Sequence, residues 1–471
     1  MEDVRAITGG GRIQITVNLI LMCVVTGLML MALTTALPAL MGDMQIPATT
    51  AQWLTSAYNL VMGVTMLSTG FLITRFPSKR LYLVCIGVFM AGLALCGMAG
   101  GFVTLLIGRL LQAFGQGAIT ALAQVVLLTI FPPEERGTAM GWYGVSLGAV
   151  PVLSPTIGGI VTDTIGWRML FWGDLILVVL LLIHAVIVFA DVLETQKKSF
   201  DMLSFFLGAV AFCGLSIGIA NISSGELLQL RSGGVFLLGV LGTLLFIRRQ
   251  RRLAQPFLSL DTFRQKFYTI AVISGFLLYL TGMAATVVMP LWLQSVFGCS
   301  ASEAGLITLP GSLVMLVLGP IAGRLYDKHG IEGIYLIGAI CSVVGHGGLA
   351  LLDASASTVV IVLLYCVRAI PMGLLLTPLV TWGIGSLAVL QKPGIAADGT
   401  ALLTSIRNVG GAIGASAFVG IMSAVAARSP AENALGASVR GAAAAFWLMT
   451  LVSVPLFWFY VRIRRARRNS A

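Results

Sequence analysis

The chain has 471 residues, of which 58% are hydrophobic and only 10% charged. Soluble domains carry roughly 25% charged residues, so a water-soluble fold is excluded. The formal net charge of +11 does not indicate nucleic acid, because the cations gather at one set of ends of the apolar segments. That arrangement serves membrane topology and anionic lipid headgroups.

Hydropathy divides the chain into about fourteen spans near the roughly 20 residues a helix needs to cross the hydrocarbon. Their approximate limits are 14–36, 51–73, 81–99, 103–128, 138–161, 169–190, 202–221, 233–250, 267–294, 303–325, 331–352, 357–386, 396–424 and 442–461. Met1–Arg5 leads into the first span without a small-residue cleavage site, so a removable signal peptide is not expected. Arg75/Lys79/Arg80, Arg248/Arg249/Arg251/Arg252 and Arg462/Arg464/Arg465 lie at one set of span ends, with Arg168, Arg231, Arg428 and Arg440 at the other. The positive-inside rule therefore predicts cytoplasmic termini in a multi-pass protein of the cell's inner (cytoplasmic) membrane. The seven cysteines form neither a disulfide framework nor a metal-ligand spacing. No metal and no cofactor are expected, and the chain lacks a phosphate loop and a nucleophile elbow, so it reads as no enzyme.

Span four holds Arg109 in Leu105–Gly117, a permanent cation in an apolar helix. Placing it at membrane depth costs about 3 kcal/mol even on lenient scales, which marks a pathway, cavity or relay. Span five places Gly141, Gly144, Gly148, Pro155 and Gly159 on one helical face, where a neighbour can approach closely, and Pro151 and Pro155 bend it. The basic turn Gly70–Arg80 after span two has a partner in Gly323–Gly330 after span ten, each followed two spans later by an arginine, Arg109 and Arg368. Such a weak repeat is what two six-helix halves leave in sequence. The expected division is a first bundle over 1–190, two additional helices with linkers over 191–266, and a second bundle with a basic tail over 267–471.

These residues resemble the major facilitator superfamily, in its fourteen-helix drug:proton antiporter branch. The resemblance rests on Thr34–Pro38, Gln52–Leu60, Gly70–Arg80, Arg109–Gly117, Pro151–Gly159, Trp167–Phe171 and Arg407–Gly414. It implies an all-α integral membrane protein of two six-helix halves plus two central helices. Arg75, Arg80, Gly148, Pro151, Pro155, Gly158, Gly159, Gly323, Asp327, Gly330 and Gly70 would then serve conformational change, and Arg407 would stabilise the cytoplasmic end of span thirteen. Some positions depart from the branch. Met29 stands where it has an aspartate, Thr74 and Pro77 replace an aspartate and a glycine of the first turn, Ser154 replaces a glycine, and Asp174 replaces an asparagine.

A proton-coupled carrier needs a titrating group near the midplane. Asp174, at about the depth of Arg109, is the first candidate, and a pair with Arg109 would relieve both desolvation penalties. His184 and His346 are the others. Spans one, two, four, nine, ten and thirteen would line a cavity, with Met29, Met31, Met62, Met66 and Phe276 as apolar contacts and Asn59, Gln112, Gln116, Tyr279 and Arg368 as polar ones. Fixed positive charge favours neutral or anionic amphiphiles. The first reading is a monomeric exporter of such molecules by alternating access, coupled to proton entry. The alternatives are a facilitator or importer of one organic anion or lipid-like metabolite, and a transport-inactive sensor or assembly subunit.

Overall fold

The computed structural model describes residues 9–193 without 52, residue 195, and residues 201–223, 230–253, 256–392, 394–428 and 434–468. The side chains of Pro155 and Arg231 lie outside the described residues. Every described regular element is helical, as a bilayer demands of a chain that must satisfy its backbone hydrogen bonds internally. In order these are α1 (Gly9–Met44), the single turn α2 (Ala48–Ala51), α3 (Trp53–Arg75), α4 (Ser78–Gly97), α5 (Phe102–Ile130), α6 (Arg136–Ile165) and α7 (Arg168–Val188). There follow α8 (Met202–Ser223), α9 (Leu230–Gln250), α10 (Lys266–Phe297), α11 (Ala301–His329), α12 (Ile331–Ala350), α13 (Thr358–Ser386), α14 (Ile395–Arg428), α15 (Ala434–Ser453) and α16 (Pro455–Arg468). Among the described residues 14 segments are long and apolar enough to cross a membrane, the last running from α15 into α16.

Local chemistry fixes the ends. Ser300 and Glu303 cap α11 reciprocally, Glu303 N–H donating to Ser300 Oγ at 3.2 Å and Ser300 N–H to Glu303 Oε2 at 2.8 Å. Gly330 takes φ +73° in the tight turn into α12, a region that favours glycine. Pro455 opens α16, where its missing N–H costs nothing.

Helices α1 and α3–α7 pack as one half and α10–α15 as the other. Small residues let backbones meet: a Cβ added to Gly92 of α4 would lie 2.6 Å from the Gly108 carbonyl oxygen of α5, and one on Gly410 of α14 would lie 2.8 Å from that of Phe276. Two seams join the halves. At one, α6 lies against α11, with Gly141 on Gly319, Gly148 on Leu316 and Gly323 on Gly137. At the other, α3 meets α14. The hairpin α8/α9 packs on itself through Gly214 and Gly239 and leans on this second seam through contacts of α8 with both α3 and α14. Its base is fastened by Arg249, whose hydrogen bonds (2.8 Å) hold the Asp201 carboxyl down at about 2.

The cross-half contacts named above lie within about 20 Å of the helix ends bearing Arg75, Lys79, Arg324 and Lys328, at 1.5 Å per residue. On this basic face Asp327 at the end of α11 accepts from Gly137 N–H (2.8 Å), Thr138 N–H (2.6 Å) and Thr138 Oγ1 (2.6 Å), capping α6 across the seam. The halves are thus closed together at the basic face.

Candidate functional site

Among the described residues three arginines are buried within the helices, and each lies over a tyrosine. The Arg109 guanidinium of α5 sits 4.0 Å from the Tyr58 ring centroid of α3. Arg368 of α13 sits 4.3 Å from that of Tyr365, and Arg407 of α14 sits 4.7 Å from that of Tyr279 on α10. A desolvated cation–π contact contributes about 2 kcal/mol and a charge-assisted hydrogen bond about 1.5–3 kcal/mol. Together they offset an insertion cost of about 3 kcal/mol for Arg109 and Arg368, which each make both contacts, while Arg407 rests on its tyrosine ring.

Around Arg109 the network is internal to the first half. Arg109 Nη1 donates to Gln112 Oε1 at 2.7 Å, Gln112 Nε2 donates to Cys96 Sγ at 3.3 Å, and Tyr58 donates to Gln116 Oε1. Gln112 and Gln116 therefore position Arg109 and Tyr58. Asp174 is buried on α7, within electrostatic reach of Arg109, but among the described residues no ion pair joins them. Arg109 Nε and Nη2 and Asp174 Oδ2 have no hydrogen-bond partner. The expected direct pair is thus absent, with the means to form it in place on both sides.

Arg407 departs from the sequence expectation. It lies about twelve residues into α14, roughly 18 Å from the basic-face end, and is buried at mid-depth rather than stabilising that end. Tyr143 of α6, from the other half, lies within electrostatic reach of both Arg407 and Tyr279. Tyr143 Oη accepts from Gln124 Nε2 of α5 at 3.2 Å. The neighbouring Asn408 Nδ2 donates to Met66 Sδ of α3 at 2.8 Å. Arg407 over Tyr279 thus lies beside the junction of the halves, which the Asn408–Met66 hydrogen bond spans at the next residue, with Tyr143 of the first half within electrostatic reach and Gln124 bonded to it. Arg407 Nε is buried without a partner there.

The other expected residues distribute unevenly. Phe276 packs on Gly410 within the second half, Met62 is half-buried beside Gly117 of α5, Met29 is buried in the core, Met31 is half-buried and Asn59 is exposed. Arg368 Nη1 donates to the Gly282 carbonyl at 3.0 Å inside the second half, leaving Nε unpartnered. His346, buried near it, donates from Nδ1 to the Ser342 carbonyl at 2.7 Å, and its Nε2 has no partner. His184 lies apart, near the basic end of α7. Asn18 Nδ2 donates to the Leu181 carbonyl (3.0 Å), which fixes the amide as donor, so His184 Nδ1 accepts from it at 2.9 Å. Gly158 packs against Ala32 of α1, Gly159 faces open space, Pro151 is half-buried in α6, and Arg75 and Arg80 are exposed at the basic face. A separate cavity of about 650 Å³ opens on the basic face between Phe267, Tyr326, Lys328, His329 and Trp382, at helix ends away from the buried arginines.

Two halves of membrane-long helices, each with arginine buried inside it, define a polytopic membrane protein. Residues 19–415 match the Major Facilitator Superfamily. The chain is 34% identical over 442 residues to the uncharacterized MFS-type transporter YcnB of Bacillus subtilis, covering 93% of this chain and 92% of YcnB. It is 30% identical over 401 residues to the lincomycin resistance protein LmrB of the same organism, covering 83% and 82%. The human organic anion transporter MFSD10 superposes with a TM-score of 0.65 at 15% identity over 95% of this chain and 99% of that one, a likeness of fold alone. The chain belongs to the Major Facilitator Superfamily and is a secondary transporter, so its work is transport and not catalysis.

Proposed function

We propose that this protein exports amphipathic small organic molecules, neutral or anionic, by alternating access coupled to proton entry, as a member of the drug:proton antiporter branch. The observation that carries the reading is Arg407, a buried cation with an uncommitted Nε at the junction of the halves. It lies over the Tyr279 ring, with Tyr143 of the other half within electrostatic reach, and the next residue, Asn408, donates to the thioether of Met66. A planar guanidinium with a free donor receives carboxylate or carbonyl oxygens, and the adaptable thioether tolerates varied apolar bodies. With Arg109 and Arg368 also buried, the interior repels lipophilic cations. Kinship with the lincomycin resistance protein LmrB supports efflux as the direction. Asp174 carries the proton: its unpartnered oxygen and the free donors of Arg109 supply two states, one paired and one not. The basic face is the cytoplasmic one, in the plasma membrane of a bacterium, and the chain works as a monomer.

The test is efflux of anionic, neutral and cationic fluorescent amphiphiles from pump-deficient cells, with and without collapse of the proton gradient. Export of anionic and neutral probes that stops on collapse is the expected result, and Asp174→Asn removes the gradient dependence. Preferred export of the cationic probe would overturn the electrostatic argument, and absence of any export would leave a narrow facilitator or importer.

A further inference from the structure

The two copies of the basic turn differ in how they hold the gate. In the second copy Asp327 reaches across to cap α6. The first copy has Thr74 in the corresponding place, and its hydroxyl bonds back into its own helix, to the Gly70 carbonyl at 3.1 Å and that of Phe71 at 2.9 Å. The seam between α3 and α14 therefore has no counterpart of Asp327 from α3. A carboxylate stands instead on the other helix. Asp398, buried in the first turn of α14, accepts from Ser259 N–H at 3.1 Å.

Ser259 belongs to the segment that leads from the inserted hairpin to α10, and that segment lies in the seam. Leu258 and Phe257 are buried at 0% and 2% exposure. Together with Phe71 of α3, Phe246 of α9 and Ala401 and Leu402 of α14 they make one apolar cluster. Phe257 stacks on Phe71 with ring centroids 6.1 Å apart and planes at 17°. A Cβ on Gly70 would lie 3.0 Å from Leu258 Cδ2 and 3.2 Å from Asp398 Oδ1, so strap and helix pack closely here. Farther on, Asp261 of the strap pairs with Lys392, just ahead of α14. Upstream, Gln250 accepts from Leu258 N–H at 3.1 Å and donates to Ser204 Oγ at 2.6 Å, tying the strap to the hairpin.

We infer that residues 256–264 are a strap that latches the α3/α14 edge of the basic-face gate, with the Ser259–Asp398 hydrogen bond as its catch, so that the inserted helix pair sets how readily that face opens. The strap holds the first half through Phe71 and the second through Asp398. When α3 and α14 separate, one of these holds must release. This rests on the alternating-access part of the reading above and is independent of cargo and of proton coupling.

Ser259 has φ −72°, a value proline adopts, so Ser259→Pro removes its N–H donor at a compatible φ. The full chain in nanodiscs is labelled at the exposed Phe76→Cys and Val389→Cys, in a background with the native cysteines replaced, and the distance distribution is measured by pulsed electron spin resonance. Ser259→Pro should raise the long-distance to short-distance ratio about tenfold, the loss of one hydrogen bond to a charged group. Asp398→Asn, which keeps a weaker acceptor, should raise it less, and Ser259→Thr, which keeps the N–H, should match the parent. Unchanged distributions in both Ser259→Pro and Asp398→Asn would overturn the strap whatever the efflux assay gives. Should Ser259→Pro not be recovered as a monodisperse protein, Asp398→Asn and Phe257→Ala decide in the same way.

Discussion

Arg407 and Arg109 are both buried cations over tyrosines, yet their surroundings separate their roles. Arg109 is enclosed by its own half, with Gln112, Tyr58 and Gln116 around it, whereas Arg407 lies over Tyr279 of its own half with Tyr143 of the other half within electrostatic reach. Lysine keeps the charge at either place but loses the planar fork. Arg407→Lys is therefore expected to lower transport of anionic probes at least tenfold while sparing neutral ones, and Arg109→Lys to lower both together. Initial rates in vesicles for the two probe classes check this; equal loss for both classes in Arg407→Lys would move the substrate contact elsewhere. The sequence made Arg109 conspicuous because a charge in an apolar run needs no neighbour to be noticed. It made Arg407 no less visible, but its role depends on depth and on Tyr143 and Gln124, which come from helices far off in the chain and carry no signal of their own. Asp398 gives no signal in the sequence for the related reason that a carboxylate in a first turn reads as an ordinary helix start.

At the level of helices, spacing told more. The glycines of α6 at 141, 144 and 148 share a face, and that face is the one pressed on α11 and α13, with Gly144 beside Thr377. The partner helix was not legible, because a small-residue stripe states that a neighbour comes close without naming it. A Cβ on Gly141 would sit 2.7 Å from the Gly319 carbonyl oxygen, so a larger side chain cannot be housed while the basic face is closed. Gly141→Val should destabilise the closed form by about 1–3 kcal/mol, roughly 5- to 150-fold in the closed-to-open ratio. A cysteine at Thr377, buried at 3% exposure in the parent, reports it in a background without the native cysteines. Its labelling by an impermeant thiol reagent applied from the basic face should accelerate when Gly141 is valine. An unchanged labelling rate would mean that α6 and α11 separate without mattering to that face.

For the whole molecule the decisive question is which way it stands in the membrane, because the basic-face contacts have opposite meanings in the two orientations. Arg75, Lys79, Arg80, Arg248, Arg249, Arg324 and Lys328 lie at one set of helix ends, and Arg168, Arg428 and Arg440 at the other. Translocating the crowded set would carry many more cations across than translocating the sparse one, so the basic face is expected in the cytoplasm. Single cysteines at Arg80 and Val389 should then react with an impermeant reagent only after cells are opened. One at Leu351, 73% exposed at the far end of α12, should react in intact cells. In that orientation the Asp327 cap and the strap seal the cytoplasmic entrance, and cargo held as proposed at Arg407 would leave outward from this state. The opposite labelling pattern would make them the outer seal, and the same cluster would then serve uptake.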